Sequence, residues 1–147
     1  MYVYYIDMNS VRAVLPGLVG FLISAMCRFT KGESSEIKIA PPPIVFGIVW
    51  PILYLIIGYA WVTEYKNKYV DIVFIVNLVF SGLWLYMFNC KDNKRLALYL
   101  ILVLIASSLM MIQVCTKLPN RILLCLYSTW LIFAMVMNTQ FVINAKK

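Results

Sequence analysis

The sequence predicts an all-α integral membrane protein, a bundle of five transmembrane helices. The chain is 63% hydrophobic and only 13% charged, which leaves too little polar surface for a water-soluble domain of 147 residues. The charged residues also fall in clusters between long apolar runs instead of alternating with them. This distribution is typical of membrane spans joined by polar loops.

Five apolar segments account for nearly the whole chain. A helix rises about 1.5 Å per residue, so roughly 20 residues cross a hydrocarbon core of about 30 Å. The last four segments fit that length and the first is short. The short loops predict one bundle, a single domain over residues 1–147. The predicted spans are Val11–Cys27, Ile44–Thr63, Ile72–Asn89, Leu96–Cys115 and Ile122–Ile143.

The first segment is interpreted as a span and not as a removed signal peptide. Its flank, Met1–Ser10, contains no Lys or Arg, and no small-residue cleavage site follows the apolar run. The loops give an orientation: eight of the 13 Lys and Arg lie on the side of the C-terminus and five on the other side. The positive-inside rule therefore predicts a cytoplasmic C-terminus.

The basic residues indicate contact with lipids and not with nucleic acid. The net charge is +7, but the basic residues lie next to the spans and are spread over every loop. Anionic lipid headgroups are the partners that such juxtamembrane charges favour.

Several kinds of chemistry are absent from the sequence. There is no histidine, which removes the commonest general base and the commonest zinc ligand. All six acidic residues lie in predicted loops or at span ends, so no carboxylate is available for an intramembrane proton relay. No metal site is predicted. The four cysteines form no C-x-x-C pair and are expected to be free, buried thiols: Cys27, Cys90, Cys115 and Cys125.

Three predicted spans carry aromatic and polar residues on one helical face, and the first span carries small residues on one face. The aromatic and polar faces consist of Trp50, Tyr54 and Trp61; of Asn77, Ser81, Trp84 and Phe88; and of Tyr127, Trp130, Ala134, Met137 and Asn138. The small residues are Gly17, Gly20, Ser24 and Cys27. Helical rise places most of these aromatic and polar residues in the half of the bilayer that faces the first loop. We therefore expect an aromatic pocket there, with the loop as its lid and Pro41, Pro42 and Pro43 at the hinge.

Simpler interpretations remain open for several of these residues. Trp50 and Trp130 either line a pocket or pack between helices, and Asn77 and Asn138 either contact a ligand or hydrogen-bond between helices. Pro51 either kinks its helix or lies in its first turn. Four aromatic residues near span ends are interpreted as a membrane-interface belt: Trp61, Tyr65, Tyr69 and Tyr99.

Three motifs in order resemble the TspO/translocator protein family, also called TspO/MBR, tryptophan-rich sensory proteins or peripheral benzodiazepine receptors. The stretch 41–61, PPPIVFGIVWPILYLIIGYAW, resembles the family's proline-rich first loop and second helix. Residues 77–88, NLVFSGLWLYMF, resemble the third-helix motif Q-x-x-x-N-x-x-W-x-x-x-F. Residues 123–138, LLCLYSTWLIFAMVMN, resemble the fifth-helix motif, with Leu126 in place of its proline.

The resemblance implies five transmembrane helices, often in a homodimer, and no required cofactor. The implied ligands are tetrapyrroles such as protoporphyrin IX and haem, sterols, and isoquinoline or benzodiazepine drugs. It implies a multi-pass protein of a bacterial envelope or of the mitochondrial outer membrane, without choosing between them. The ligand-binding residues that follow from the matching motifs and faces are Trp50, Tyr54, Asn77, Ser81, Trp84, Trp130, Ala134 and Asn138.

Two further functions are kept beside the receptor or carrier function. One is an enzyme-like, light-dependent degradation of porphyrin, in which Trp50 and Trp130 would act as electron donors to the excited ligand. The sequence offers no acid–base pair for such an enzyme. The other is a ligand-sensing regulatory membrane protein, which no residue pattern separates from a carrier.

Overall fold

The described part of the chain is helical apart from short connections between the helices, as the sequence predicts. The computed structural model describes residues 7–27, 42–64 and 66–144, and no strand occurs among them. The helices are α1 (Met8–Cys27), α2 (Pro43–Glu64), α3 (Lys68–Leu85), α4 (Lys94–Val114) and α5 (Leu118–Asn144), with a π-helical segment Tyr86–Cys90 directly after α3. All five helices are long and apolar enough to cross a membrane. The predicted all-α five-helix fold class is thus confirmed.

The helix boundaries differ from the predicted spans by a few residues, because the helices extend into polar sequence. Helix α3 begins at Lys68 and not at Ile72, and α5 begins at Leu118 and not at Ile122. Both α3 and α4 are capped by an asparagine that the hydropathy pattern does not report. Asn67 accepts from the Tyr69 amide at 3.0 Å and Asn93 accepts from the Leu96 amide at 3.1 Å.

The helices form a ring in the order α1, α2, α5, α4, α3. Each packs against its two neighbours in this ring, and α3 closes it against α1. The bundle has two ends. We call the end where α1, α3 and α5 begin the closed end, and the opposite end, where α2 and α4 begin, the mouth end.

Two close approaches bring α1 against α2. A Cβ on Gly58 would lie 2.5 Å from the carbonyl oxygen of Ala13, and a Cβ on Gly20 would overlap the ring of Tyr54. Small residues therefore set the spacing of these helices, which is how membrane helices commonly pack. The small-residue face of α1 does not all serve this contact, since Gly17 has no neighbour within 4 Å of the Cβ position.

The closed end is tied together by an arginine–carboxylate pair. Arg12 of α1 donates from Nε and from a terminal guanidinium nitrogen to the two oxygens of Asp71 of α3, both at 2.9 Å. Trp61 of α2 donates its indole N–H to the same carboxylate at 2.7 Å. The interface belt predicted for Trp61 is therefore wrong: the side chain is 3% exposed and joins three helices. Its spacing from a span end could not reveal a carboxylate from another helix.

A second carboxylate ties α2 to the start of α5. Glu64 is buried and accepts from the Thr116 amide at 3.1 Å, the Thr116 hydroxyl at 2.9 Å and the Lys117 amide at 2.8 Å. Asn120 donates its side-chain amide to Glu64 at 2.9 Å. Because the first amides of a helix lack intrahelical acceptors, Glu64 acts as an N-terminal cap of α5 supplied by another helix.

The mouth end carries a covalent link that the sequence analysis missed. Cys27, the last residue of α1, forms a disulfide with Cys90, the last residue of the π-helical segment. The prediction of free thiols is wrong for this pair, since 63 residues separate the two cysteines and only the fold brings them together. Cys115 and Cys125 are free, the first buried and the second exposed.

Candidate functional site: an aromatic cavity at the mouth end

A cavity of about 980 Å³ opens in the mouth half of the bundle. Its walls come from one face of α1, the first half of α2, the end of α3 with the π-helical segment, and the end of α5. Ligand pockets for drug-sized molecules usually measure about 300–1,000 Å³. The cavity thus has room for a large ligand, in the half of the bundle where the sequence places the pocket.

One wall of the cavity is a continuous series of aromatic rings, which we call the aromatic column: Tyr54, Trp50, Trp84 and Phe88. All four line the cavity. Successive ring centroids are 5.7, 5.5 and 5.3 Å apart, and the planes are inclined by 32°, 36° and 25°. These separations are those of favourable offset aromatic pairs. The column therefore presents a large, rigid aromatic surface to the cavity.

A second wall is α1, whose lining residues are small or aliphatic except for Phe21. Gly20 belongs to this wall and abuts Tyr54, so the missing side chain lets α1 approach the deep end of the aromatic column. Gly47 of α2 also lines the cavity and has open space around it. Pro51 lies inside α2, which settles its position as internal and not first-turn.

The predicted site residues divide into two groups. Trp50, Tyr54 and Trp84 line the cavity. The others are absent from the lining and contact neighbouring helices: Asn77, Ser81, Trp130, Ala134 and Asn138. Of the predicted lid, Pro41 lies outside the described residues, as does the loop before it, and Pro42 is exposed just before α2, which begins at Pro43.

Asn77 and Ser81 belong to a polar network in the bundle core. Asn77 donates to the Ser107 hydroxyl at 2.8 Å and accepts from the Tyr127 hydroxyl at 3.0 Å. Ser81 interacts with the hydroxyls of both Tyr54 and Tyr127. The sequence allows Asn77 either to contact a ligand or to hydrogen-bond between helices, and the structure shows hydrogen bonding between helices. Through Ser81 the network reaches Tyr54, so it orients the innermost ring of the aromatic column.

Asn138 supports the column from behind. Its side-chain oxygen accepts from the Trp84 indole N–H at 3.4 Å, and its amide donates to the Lys94 carbonyl at 2.7 Å. Asn138 is fully buried and thereby joins α3, α4 and α5. Ala134, one turn earlier on the same face, is 1% exposed and fills the same interface.

Trp130 does not line the cavity but contacts Phe46, which does. The two ring centroids are 6.0 Å apart. Among the described residues, the Trp130 indole N–H is the only buried side-chain polar atom without a hydrogen-bond partner in the protein. Unpaired buried donors are costly, so this nitrogen is a ready donor for a group that reaches past Phe46.

The cavity rim carries residues that the motifs did not single out. Phe141 of α5 meets Phe88 edge-on at 5.4 Å, and Lys94 holds its ammonium 3.7 Å from the centre of the Phe88 ring. Lys94 also pairs with Asp92 at 2.9 Å. A cation over an aromatic ring is stabilised by the ring's electron density, which places a positive charge directly behind the rim. No group of three metal-ligating side chains occurs in the described part of the chain.

The fold and the cavity define a class: a five-helix membrane protein with an aromatic ligand cavity between its helices. The chain belongs to the TspO/MBR family, whose profile matches residues 13–143, nearly the whole sequence. Membership supports, in general terms, a multi-pass membrane protein that binds or senses sterol-like or porphyrin-like molecules. No individual curated protein matches the chain.

Proposed function

We propose that this protein is a membrane receptor or carrier that binds porphyrins, above all protoporphyrin IX, against the aromatic column. The observation that carries the proposal is the run of four rings along a cavity of about 980 Å³. A flat conjugated ligand gains both burial and ring stacking there, the latter worth about 0.5–1.5 kcal/mol per aromatic pair. The cavity lining among the described residues is otherwise mostly apolar, which suits a macrocycle with few polar groups.

The lining favours a metal-free porphyrin over haem. The chain contains no histidine, and neither free cysteine lines the cavity. Among the described lining residues, Met137 and Tyr54 are the side chains whose types can ligate haem iron. Haem, sterols and benzodiazepine-type drugs are therefore proposed as secondary ligands that use the same apolar surface. The protein requires no cofactor in this proposal.

Titration of the purified protein with protoporphyrin IX tests the proposal. We expect quenching of tryptophan fluorescence and a shift of the porphyrin Soret band. Trp50→Phe should weaken binding by about three- to tenfold, the equivalent of one lost stacking contact. Trp61→Phe is the matched control, because Trp61 lies at the closed end outside the cavity lining. The proposal is wrong if neither quenching nor a Soret shift occurs, or if both variants bind like the parent protein.

A light-dependent degradation of the porphyrin is the second candidate. What favours it is the position of Trp50 and Trp84 on the cavity wall, with ring centroids 5.5 Å apart, where either could donate an electron to an excited ligand. Trp130, the other donor considered, contacts Phe46 and does not line the cavity. Illumination of the complex should then bleach the porphyrin spectrum, more slowly in Trp50→Phe than in Trp130→Phe. A spectrum that stays constant under light excludes this activity.

The proposal also includes a homodimer and a cytoplasmic C-terminus. The described residues leave large apolar faces on the outside of the bundle, which lipid or a second copy can cover. Light scattering of the detergent-solubilised protein measures the oligomeric state. A protease applied to sealed vesicles measures the side of the C-terminus, and a monomer or an external C-terminus would refute the respective part.

A further inference from the structure

We propose that Cys27 and Cys90 are a redox-active pair that ties the α1 wall of the cavity to its mouth when oxidised and releases that wall when reduced. The inference rests on the proposed function only for what the cavity holds. The redox-dependent release of the α1 wall follows from the position of the disulfide, from the weak packing of α1 and from the distribution of charge.

The disulfide joins two walls of the cavity. The Cα atoms of Cys27 and Cys90 are 4.7 Å apart. Ser24, one turn before Cys27, lines the cavity from α1, and Asn89, next to Cys90, lines it from the π-helical segment. A change in the separation of the two cysteines therefore changes the distance between these two walls.

Helix α1 is packed more loosely than the other helices. It is the least buried of the five: 17% of its apolar window is buried, against 33–50% in the others. At the closed end, Arg12 binds Asp71 and Ala13 meets Gly58, and nearer the mouth end Val19 and Ile23 of α1 pack beside Gly82 of α3. Reduction of the disulfide removes the covalent link at the end of α1 and leaves noncovalent contacts to hold it.

The partner segment is also one that can adjust. Cys90 ends five residues of π-helix, Tyr86–Cys90, in which no residue is fully buried. π-Helical turns are less regular than α-helix and occur mostly as single turns, frequently at functional sites. The disulfide thus connects the most loosely packed helix to the least regular helical segment of the described chain.

The charge pattern predicts that the pair lies on the cytoplasmic side of the membrane. Cys27 and Cys90 lie at the mouth end, which carries the larger share of Lys and Arg and is predicted to face the cytoplasm. Cytosolic thiols are kept reduced, and disulfides that form there are usually transient. We infer that the open, dithiol form is the resting state and that oxidation closes the wall.

A dithiol reductant opens the disulfide in two exchange steps. A reductant thiolate attacks Sγ of Cys90, the more exposed of the two residues, to form a mixed disulfide and release Cys27 as a thiolate. The second reductant thiol then attacks the mixed disulfide, so that the reductant leaves oxidised and Cys90 is released. Two electrons and two protons pass from the reductant to the pair.

Acrylamide quenching of tryptophan fluorescence tests the movement without any ligand, because Trp50 and Trp84 line the cavity. The Cys115→Ser, Cys125→Ser double variant keeps the pair and removes the other two thiols. In this variant, reduction should raise the quenching constant. The Cys27→Ser, Cys90→Ser variant should show the raised value with or without reductant. The proposal fails if quenching stays the same although mass spectrometry shows two reduced thiols, or if oxidised protein contains no disulfide.

Release of protoporphyrin IX measures the consequence for the ligand. Reduction should speed its dissociation on the order of tenfold, which corresponds to about 1.4 kcal/mol. The Cys27→Ser, Cys90→Ser variant should release at the fast rate in both conditions. Equal rates for the oxidised and reduced pair refute the effect on the ligand. If no porphyrin binds in either state, the proposed function is wrong, and the quenching experiment still decides whether the wall moves.

Thiol trapping with N-ethylmaleimide in intact cells tests the redox cycle. We expect the Cys27–Cys90 pair to be largely reduced in growing cells and oxidised after treatment with diamide. A pair that is fully oxidised in both conditions would be a permanent structural bond, which refutes the switch.

Discussion

The two ends of the bundle are stabilised by different means. At the closed end, hydrogen-bonded carboxylates hold the helices: the partly exposed Asp71 joins α1, α2 and α3, and the buried Glu64 joins α2 to α5. At the mouth end, the helices are separated by a cavity and are joined by a disulfide and by aromatic contacts between helices. The difference indicates a division of roles, in which one end fixes the bundle and the other adapts to a ligand.

The two ends also differ in how their carboxylates are stabilised. A carboxylate is costly inside a membrane unless it is paired and hydrogen-bonded, and each closed-end carboxylate has several donors. At the mouth end, the Asp92–Lys94 pair remains accessible, with 65% of the Asp92 side chain exposed. The same kind of substitution should therefore change the free energy of unfolding by different amounts at the two ends.

Neutralising a carboxylate should cost most at the closed end. Glu64→Gln replaces an oxygen that accepts hydrogen bonds by an amide group that faces N–H donors, so we expect a loss of about 2–4 kcal/mol in the free energy of unfolding. The same change at the mouth end, Asp92→Asn, removes an exposed ion pair and should cost less than about 1 kcal/mol. Unfolding in detergent micelles measures both, and equal losses would contradict the division of roles.

Replacing a glycine by alanine should give the second-largest difference in stability between the two ends. Gly58→Ala brings a Cβ to within 2.5 Å of the Ala13 carbonyl oxygen, a backbone atom that cannot move without the helix. We expect it to cost about 1–3 kcal/mol through overpacking. Gly47→Ala points into open cavity space and should be neutral, or stabilising by up to about 1 kcal/mol through helix propensity. The thermal unfolding midpoints compare them, and a destabilised Gly47→Ala would show that the cavity wall is rigid.

Replacing a tryptophan by phenylalanine should give the smallest difference. Trp61→Phe removes the hydrogen bond to Asp71, whereas Trp130→Phe removes an indole N–H that has no partner in the described structure. Both lose similar ring area, so the excess cost of Trp61→Phe estimates the hydrogen bond alone, about 1–2 kcal/mol. Chemical unfolding of the two variants gives this difference, and a larger cost for Trp130→Phe would contradict it.

The fold class could be predicted from sequence because composition and span length determine it almost alone. Membrane helices must satisfy their own backbone hydrogen bonds, so long apolar runs leave few alternatives. The family assignment was likewise carried by the spacing of Trp50, Trp84 and Trp130 within three motifs, and the match over residues 13–143 confirms it.

The site was less predictable, because a stripe on one helix does not say how the helix is rotated in the bundle. Trp50, Tyr54 and Trp84 line the cavity. Asn77 shares a helical face with Trp84 by its spacing in the sequence, but its side chain is directed to α4 and α5. The disulfide and the carboxylate contacts depend on residues far apart in the chain. No spacing rule along a single helix could find them.

The cap of α5 by Glu64 has a consequence for how the protein is made. Glu64 is synthesised 52 residues before Thr116, the nearer of its backbone partners. At about 5–20 residues per second, the carboxylate spends roughly 3–10 s without them. Until then, Glu64 lacks the Thr116 and Lys117 amides that it binds in the folded bundle. Because α5 lies between α2 and α4, its arrival also closes the ring, and we expect this closure to be the final step of assembly.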